Sequence, residues 1–405
     1  MKILVFAHHL EIGGTQVNAI EISAALRDLH GHDVVLFATP GPMVKLVEEK
    51  GLRYLPAPEA RFHPSPALMR SLRDAVRRER PDILYVWDWW MCLNAYYAVH
   101  LPMRVPMIVS DMMMNLTRLL PKELPTLFGT PEVVEQARAA GRQRVGLLLP
   151  PVDVHLNAPD AVDPRPFRKR WGIKGGDITL VTVSRLASCL KSESLLRTFD
   201  AIRTLGRELP LRLVVAGEGT ERAKLEHLAD DINAELGRPA VLLVGALVDP
   251  RPAYAAADIV VGMGSSVLRG MAFGKPVIVV GEQGFSAPFN PETADSFYYK
   301  GMYGRGGGSL SDDCLVADIR RLAEHPDKFP ALGHFSRQFV LRHFSIETGA
   351  AQVAEFCRSS VVETPRLHVG AAVDALRTTA IYLRERRFFT PSSAPATNKE
   401  HGDVA

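Results

Sequence analysis

Residues 258–285 read DIVVGMGSSVLRGMAFGKPVIVVGEQGF. Ile259, Val260 and Val261, leading into Gly262, have the short apolar pattern of a buried strand. A turn of small residues follows, Gly264-Ser265-Ser266, and then a helix that carries Val267, Leu268, Met271, Ala272 and Phe273 toward one side. Gly274 fits a C-terminal cap, and Pro276 opens a second buried strand, Val277 to Val280. Strand, turn, helix and strand at this spacing predict a parallel crossover unit. Its turn aims helix-start N–H groups into the crevice at the strand ends, where anions bind in open α/β sheets. Gly270 to Lys275 is no P-loop: it is one residue short, Pro276 stands where Ser or Thr is needed, and it precedes a strand. Gly264 to Leu268 lacks the closing glycine of a nucleophile elbow.

The alternation extends over the whole chain. Strands are predicted at 2–7, 33–38, 52–55, 82–86, 106–110, 124–128 and 145–149, with helices at 15–29, 42–50, 64–79, 89–99 and 131–140. Pro150-Pro151-Val152-Asp153 breaks the pattern, and Pro159, Pro164 and Pro166 follow, so 150–165 reads as an inter-domain linker. A second series has strands at 178–183, 211–216, 240–244, 258–261 and 276–280, and helices at 191–206, 219–236, 250–256 and 266–273. The result is α/β, two doubly wound parallel sheets in tandem. The glycines of 304–308 predict flexibility. Helices are expected at 311–325, 328–343, 346–360 and 366–387, and disorder over 390–405. The domains are therefore 1–153, 154–345, a helical segment 346–389 and a tail.

The 405 residues are 47% hydrophobic and 23% charged, ordinary for a globular chain with a full core. A net charge of +3 gives no reason to expect nucleic acid. Cys92, Cys189, Cys314 and Cys357 match no metal spacing and suit a reducing cytoplasm. His8, His9 and Glu11 interrupt the first apolar run, which argues against a signal peptide, and no run reaches membrane-spanning length. Peripheral membrane contact stays open.

The chemistry is expected on loops at strand C-terminal ends. Ser184-Arg185-Leu186-Ala187-Ser188-Cys189-Leu190-Lys191 places two cations between a strand and a helix start. Cations there oppose the helix dipole by roughly 0.3–1 kcal/mol each. A diphosphate would reverse the sign, with Arg185 bridging two oxygens and Lys191 adding a point charge. Gly217-Glu218-Gly219 follows the next strand and is also a plain tight turn. The backbone at Gly245-Ala246-Leu247 could pair with a base edge. Gly13-Gly14-Thr15 is the counterpart loop in the first half, where glycines let backbone approach phosphate or sugar. It is not a dinucleotide fingerprint.

These residues together resemble the glycosyltransferases of the GT-B fold, the large retaining family 4. The likeness covers about residues 1–360 and rests on Gly13-Gly14, Pro150-Val152-Asp153, Arg185 with Lys191, Gly217-Glu218-Gly219, Tyr254 to Asp258, and Gly270 to Val277. It implies two Rossmann-like domains facing across a cleft, C-terminal helices crossing back to the first domain, and a retaining hexosyl transfer. It also implies that Arg185 and Lys191 hold the diphosphate of a UDP- or GDP-sugar. The chain departs from the family in lacking its two glutamates seven residues apart; Arg269 or Gly270 stands at the second position. Ser265, Ser266, Arg269 and Glu282 are the candidates to replace them as donor contacts, with helix capping or solvation as the alternative for the serines and the glutamate. The histidine usual after the fifth strand is absent, and Asp111 or Met112 stands there.

Breaking a sugar–phosphate bond loads charge on the leaving diphosphate, which Arg185, Lys191 and helix N-termini would stabilise. No metal and no other cofactor is expected, since fixed cations can take a metal's place. A front-face reaction needs no side-chain base; Asp88 and Asp111 are the candidates if one exists. The acceptor is a glycan, lipid or small-molecule hydroxyl, and an apolar aglycone suits Trp87, Asp88, Trp89, Asp111 and Met112 with His8 beside them. Filling core beneath the loops is the alternative for these aromatic and methionine side chains. Two other readings are a non-catalytic sugar-nucleotide-binding subunit and a GT-B-like epimerase, which would need clustered acids and histidines.

Overall fold

The computed structural model describes residues 1–7, 9–60, 64–188, 191–307, 314–362 and 369–388. The chain forms two compact units, Met1–Pro151 with the segment from Ile346 onward, and Val152–Ser345.

The first unit begins with β1 (Lys2–Phe6), α1 (Gly14–Asp28), β2 (Asp33–Ala38), α2 (Val44–Glu49), β3 (Arg53–Pro56), α3 (Pro66–Glu79) and β4 (Ile83–Trp87). It continues with α4 (Asp88–Ala95), a π-helical turn (Tyr96–His100), α5 (Leu101–Met103), β5 (Met107–Asp111), β6 (Thr126–Phe128), α6 (Pro131–Ala139) and β7 (Val145–Leu147). The seven strands are all parallel, in the order β3-β2-β1-β4-β5-β6-β7. A parallel sheet covered on both faces needs apolar residues in both registers. Along β1, Ile3 and Val5 enter one core while Leu4 and Phe6 enter the other.

The second unit holds α7 (Arg165–Arg170), β8 (Ile178–Val183), α8 (Ser192–Leu205), β9 (Leu211–Ala216), α9 (Arg222–Leu236), β10 (Val241–Gly245) and α10 (Arg251–Ala256). After these come β11 (Ile259–Gly262), α11 (Ser265–Ala272), β12 (Val277–Val280), β13 (Ser286–Pro288), α12 (Ala294–Lys300), α13 (Cys314–Ala323) and α14 (Phe329–His343). The sheet order is β10-β9-β8-β11-β12-β13, parallel except for the antiparallel edge strand β13. The chain then returns to the first unit as α15 (Ile346–Val362), packed on α1, and α16 (Val369–Phe388).

The crossover through α11 is held as its sequence suggests. A Cβ on Gly270 would stand 2.8 Å from Val260 side-chain carbons, so the glycine lets helix and sheet approach. Gly274 has φ +69°; its N–H and that of Lys275 bond the carbonyls of Met271 and Gly270, a Schellman cap. Lys275 is spent on structure, donating from Nζ to the Ala255 carbonyl at 3.0 Å.

Several expectations are corrected. The segment expected to link the domains is packed: Val152 and Val154 are buried, Val152 N–H bonds the Phe344 carbonyl at 2.7 Å, and α7 begins at Arg165. The glycines at 304–306 serve close approach, not flexibility. A Cβ on Gly304 would strike the Phe285 ring at 2.5 Å, and one on Gly306 the Gln283 carbonyl at 2.2 Å. Strand β13 and helix α12 were not anticipated. The expected disordered tail, 390–405, and Gly308 lie outside the described residues.

Candidate functional site

In each sheet the order reverses direction once, between β1 and β4 and between β8 and β11. Ligands of open α/β sheets bind beyond the strand ends at such points. In the second unit these ends carry the Arg185 to Lys191 loop and the Gly264-Ser265-Ser266 turn.

The arginine loop has a rigid floor. Ser184 N–H bonds the Ala216 carbonyl, Leu186 N–H the Glu218 carbonyl, and Glu221 N–H the Leu186 carbonyl, at 2.8 to 3.0 Å. A Cβ on Gly217 would lie 1.8 Å from the Ser184 oxygen, and one on Gly219 2.3 Å from the Leu186 oxygen. Both glycines are therefore required by the backbone they support. The Ser184 hydroxyl donates to the Arg185 carbonyl at 3.0 Å.

Lys191 is the residue before α8 and stands at its N-terminus. Burial, and then the like charge of Arg185, push its ammonium down to about 8. A positive helix end, a guanidinium and a partly buried ammonium at one place would favour an anion there. Glu193, one residue into the helix, accepts from the N–H groups of Gln283 and Gly284 at 2.9 and 2.8 Å. It thereby pins the loop after β12 to the start of α8.

The other donor candidates divide. Gly264 has φ +60° and starts α11; Ser266 Oγ accepts from the Tyr254 hydroxyl at 3.1 Å. Arg269 lies one turn on from Ser265 and Ser266 and within electrostatic range of Tyr254 and Asp249. Glu282 is already engaged: it bonds the Tyr303 hydroxyl and the Arg305 guanidinium, which in that order hold its carboxyl below the usual range. Gly245 has φ +76°, Leu247 is half-buried, and the Ala246 N–H reaches Glu218 Oε1 at 3.3 Å.

In the first unit, Gly13 precedes α1 and Gly14 begins it, beside a buried Thr15. Asn18 ties this helix start to the first unit's exit: its amide nitrogen donates to the carbonyls of Gly14 and Pro151 at 3.2 Å. The β4 and β5 ends bring Asp88 and Asp111 together. Asp88 has φ +69° and accepts from the Trp89 N–H. Asp111 is 1% exposed, and burial, then the Asp88 charge, raise its carboxyl well above the usual carboxylate range. The buried Asp111 carboxyl therefore favours its protonated form.

Trp87 is a correction. It is fully buried and packs on Tyr85, 5.4 Å between ring centroids, inside the core under α1 and α15. It cannot be a wall for a ligand. Trp89 is half-buried and stacks on Trp90 at 3.6 Å; Met112 is half-buried and Met114 37% exposed. His8 lies outside the described residues, while His9 bonds the Pro40 carbonyl at 2.6 Å.

Comparison with known proteins now bears on these loops. The profile described as Glycosyltransferase Family 4 matches residues 12–111, and that described as Glycosyl transferases group 1 matches residues 177–294. Together they span more than half of the chain; the second takes in the β8–β11 reversal, and the first begins after β1 and takes in α1, β4 and β5.

This chain belongs to the GT-B glycosyltransferases.

No curated protein matches the sequence of this glycosyltransferase. Among solved structures, a glycosyltransferase from Rickettsia africae is similar, with TM-score 0.72 and 13% identity over 90% of this chain and 99% of that one. Anabaena HepE, solved with UDP, has TM-score 0.69 and 17% identity over 89% and 100%. The UDP-GlcNAc 2-epimerase of Neisseria meningitidis has TM-score 0.59 and 12% identity over 89% and 100%. At such identities the likeness is one of fold. In the glycosyltransferase Arg185 and Lys191 lie between the end of β8, at the β8–β11 reversal, and the start of α8. Glu193 and the Tyr303–Arg305 clamp on Glu282 were not anticipated. An acid in a helix's first turn is the one signal that pointed to Glu193.

Proposed function

We propose that this glycosyltransferase moves a sugar from a nucleoside diphosphate-sugar to a hydroxyl acceptor with retention. The observation that carries the reading is the juxtaposition of Arg185 and Lys191 at the start of α8, where the ammonium is depressed to about 8 by burial and by its neighbour. A diphosphate supplies the counter-charge, and the pair stabilises the same group as it leaves. Charge held by side chains removes the need for a metal, so the transfer is proposed to be metal-independent. HepE, solved with UDP and with UDP-glucose, supports a uridine donor. The acceptor contacts fall to the half-buried Trp89 and Met112 and to the Asp88–Asp111 pair, and an apolar aglycone or lipid-linked hydroxyl fits them. The setting is the cytoplasm; among the described residues no helix is long and apolar enough to cross a membrane.

A thermal-shift series with UDP, GDP and their sugars, followed by donor-hydrolysis and transfer assays on the purified chain, tests the proposal. Stabilisation by a nucleoside diphosphate with sugar release supports it. No stabilisation by any of them refutes it. One observation favours a second reading, a binding subunit without turnover: α11 has no acid in its first turn, and Glu282 is committed to Tyr303 and Arg305. Tight binding with no sugar release would select that reading.

A further inference from the structure

Helix α8 begins beside Lys191, and its first turns reach across to the loop after β12. Each oxygen of the Glu193 carboxylate takes one backbone N–H, that of Gln283 at 2.9 Å and that of Gly284 at 2.8 Å. One turn on, Arg197 donates from Nη1 to the Phe285 carbonyl at 3.0 Å. Glu193 and Arg197 therefore hold the backbone of Gln283, Gly284 and Phe285 from one face of the helix. Gln283 has φ +55° and Gly284 +79°. A residue with a Cβ, such as Gln283, rarely keeps the left-handed conformation unless its surroundings fix it.

The same loop is locked to a second segment, 302–306. The Glu282 N–H bonds the Gly304 carbonyl at 3.0 Å, and the Gly306 N–H bonds the Glu282 carbonyl at 2.9 Å. The Glu282 carboxylate accepts from Tyr303 and Arg305. The two segments lie too close for a side chain between them: a Cβ on Gly281 would stand 1.8 Å from the Gly304 oxygen. At the far end, the carbonyl of the buried Met302 accepts from the Gly264 N–H at 2.7 Å. Gly264 is the turn residue that starts α11. A continuous chain of bonds thus runs from the start of α8, through 282–285 and 302–306, to the start of α11. These are the helices that follow β8 and β11, the two strands of the reversal.

Charge alone gives Glu193 no means of helping an anion. It lies two residues from Lys191, and its carboxylate would repel a diphosphate bound there. Position does give it one. A diphosphate at the reversal meets N–H groups of both helix starts, and the chain of bonds sets their spacing. We propose, on the diphosphate reading of this site, that Glu193 is a positioning residue: acting through Gln283, Glu282 and Tyr303, it fixes the α11 turn relative to the start of α8.

UDP binding is titrated by calorimetry on the full chain, well below its melting temperature. Glu193→Ala should weaken UDP about tenfold, although it removes a negative charge beside the ligand. Glu193→Gln removes the same charge but keeps an acceptor oxygen, and should lose less. Tyr303→Phe breaks the bond to Glu282 further along and should also weaken UDP. The double variant Glu193→Ala with Tyr303→Phe should be no weaker than the poorer single, since both cut one chain. A contact that only stabilises the fold would lower the melting temperature of Glu193→Ala and leave UDP affinity unchanged or higher. That result overturns the proposal, as do single losses that multiply in the double variant. Amide hydrogen exchange at Gly264 is a readout without nucleotide. Glu193→Ala should speed it severalfold, and unchanged exchange there overturns the proposal. Wild-type protein that binds no UDP removes the diphosphate reading, and exchange at Gly264 then decides the coupling by itself.

Discussion

Replacing Lys191 with methionine should make the free protein more stable while abolishing its response to a nucleoside diphosphate. The ammonium falls from 10.5 to about 8 on folding, chiefly through burial and then through Arg185. At about 1.4 kcal/mol per pH unit, carrying that charge costs the folded state at most about 3 kcal/mol at neutral pH. The unfolded chain binds more protons between pH 8 and 10.5. Wild-type stability should therefore rise with pH across that window, and the Lys191→Met variant should lack the rise. For a domain of this size each kcal/mol moves the melting temperature by about 2–4 °C, so a gain of several degrees is expected in the variant without ligand. Bound diphosphate restores the proton: wild-type affinity should be flat to pH 8 and fall about tenfold by pH 9. Thermal and urea melts with and without UDP, over this pH range, measure all three effects. A variant that is less stable than wild type and still stabilised by UDP would refute the anion-site argument.

Gly217→Ala puts a methyl 1.8 Å from the Ser184 oxygen and should displace the arginine loop, costing about 1–3 kcal/mol and the UDP response together. Gly175→Ala, whose methyl meets nothing within 4 Å, is the control in the same melts. Trp89→Ala should raise the acceptor KM far more than the donor KM; equal changes would remove Trp89 from the acceptor site. Extensive dialysis against EDTA should leave the transfer rate unchanged, and a loss restored by added magnesium would show that Arg185 and Lys191 are not enough.

Much of the architecture was legible because parallel strands buried on both faces are unbroken apolar runs. Residues 33–38, 178–183 and 211–216 match β2, β8 and β9 end to end. Strand β13 escaped because Ser286–Pro288 is three residues long with no alternation, and its pairing with β12 is the structural fact that defines it. Helix α7 hid behind prolines, though Pro164 caps it and Pro166 sits in its first turn, where a missing N–H costs nothing. The cation pair was readable from its place after a strand. Trp87 was misread because position at a strand end does not tell which face a side chain takes. Its two-residue offset from Tyr85 put it on the same buried side, and that period was the better guide. The glycines of 304–306 were misread for a related reason: glycine marks close approach as often as freedom, and the Phe285 ring that fills the space is distant in sequence.

The return of α15 to the first unit has a consequence for biosynthesis. Ile346, Ala350, Val353, Ala354 and Cys357 cover the core on the α1 side of the first sheet. A nascent chain that has just emitted Pro151 therefore holds an unfinished half, its apolar seam open to water or chaperone. The whole of Val152–Ser345 is contiguous and can close on itself in the meantime. The half that is begun first is the half completed last.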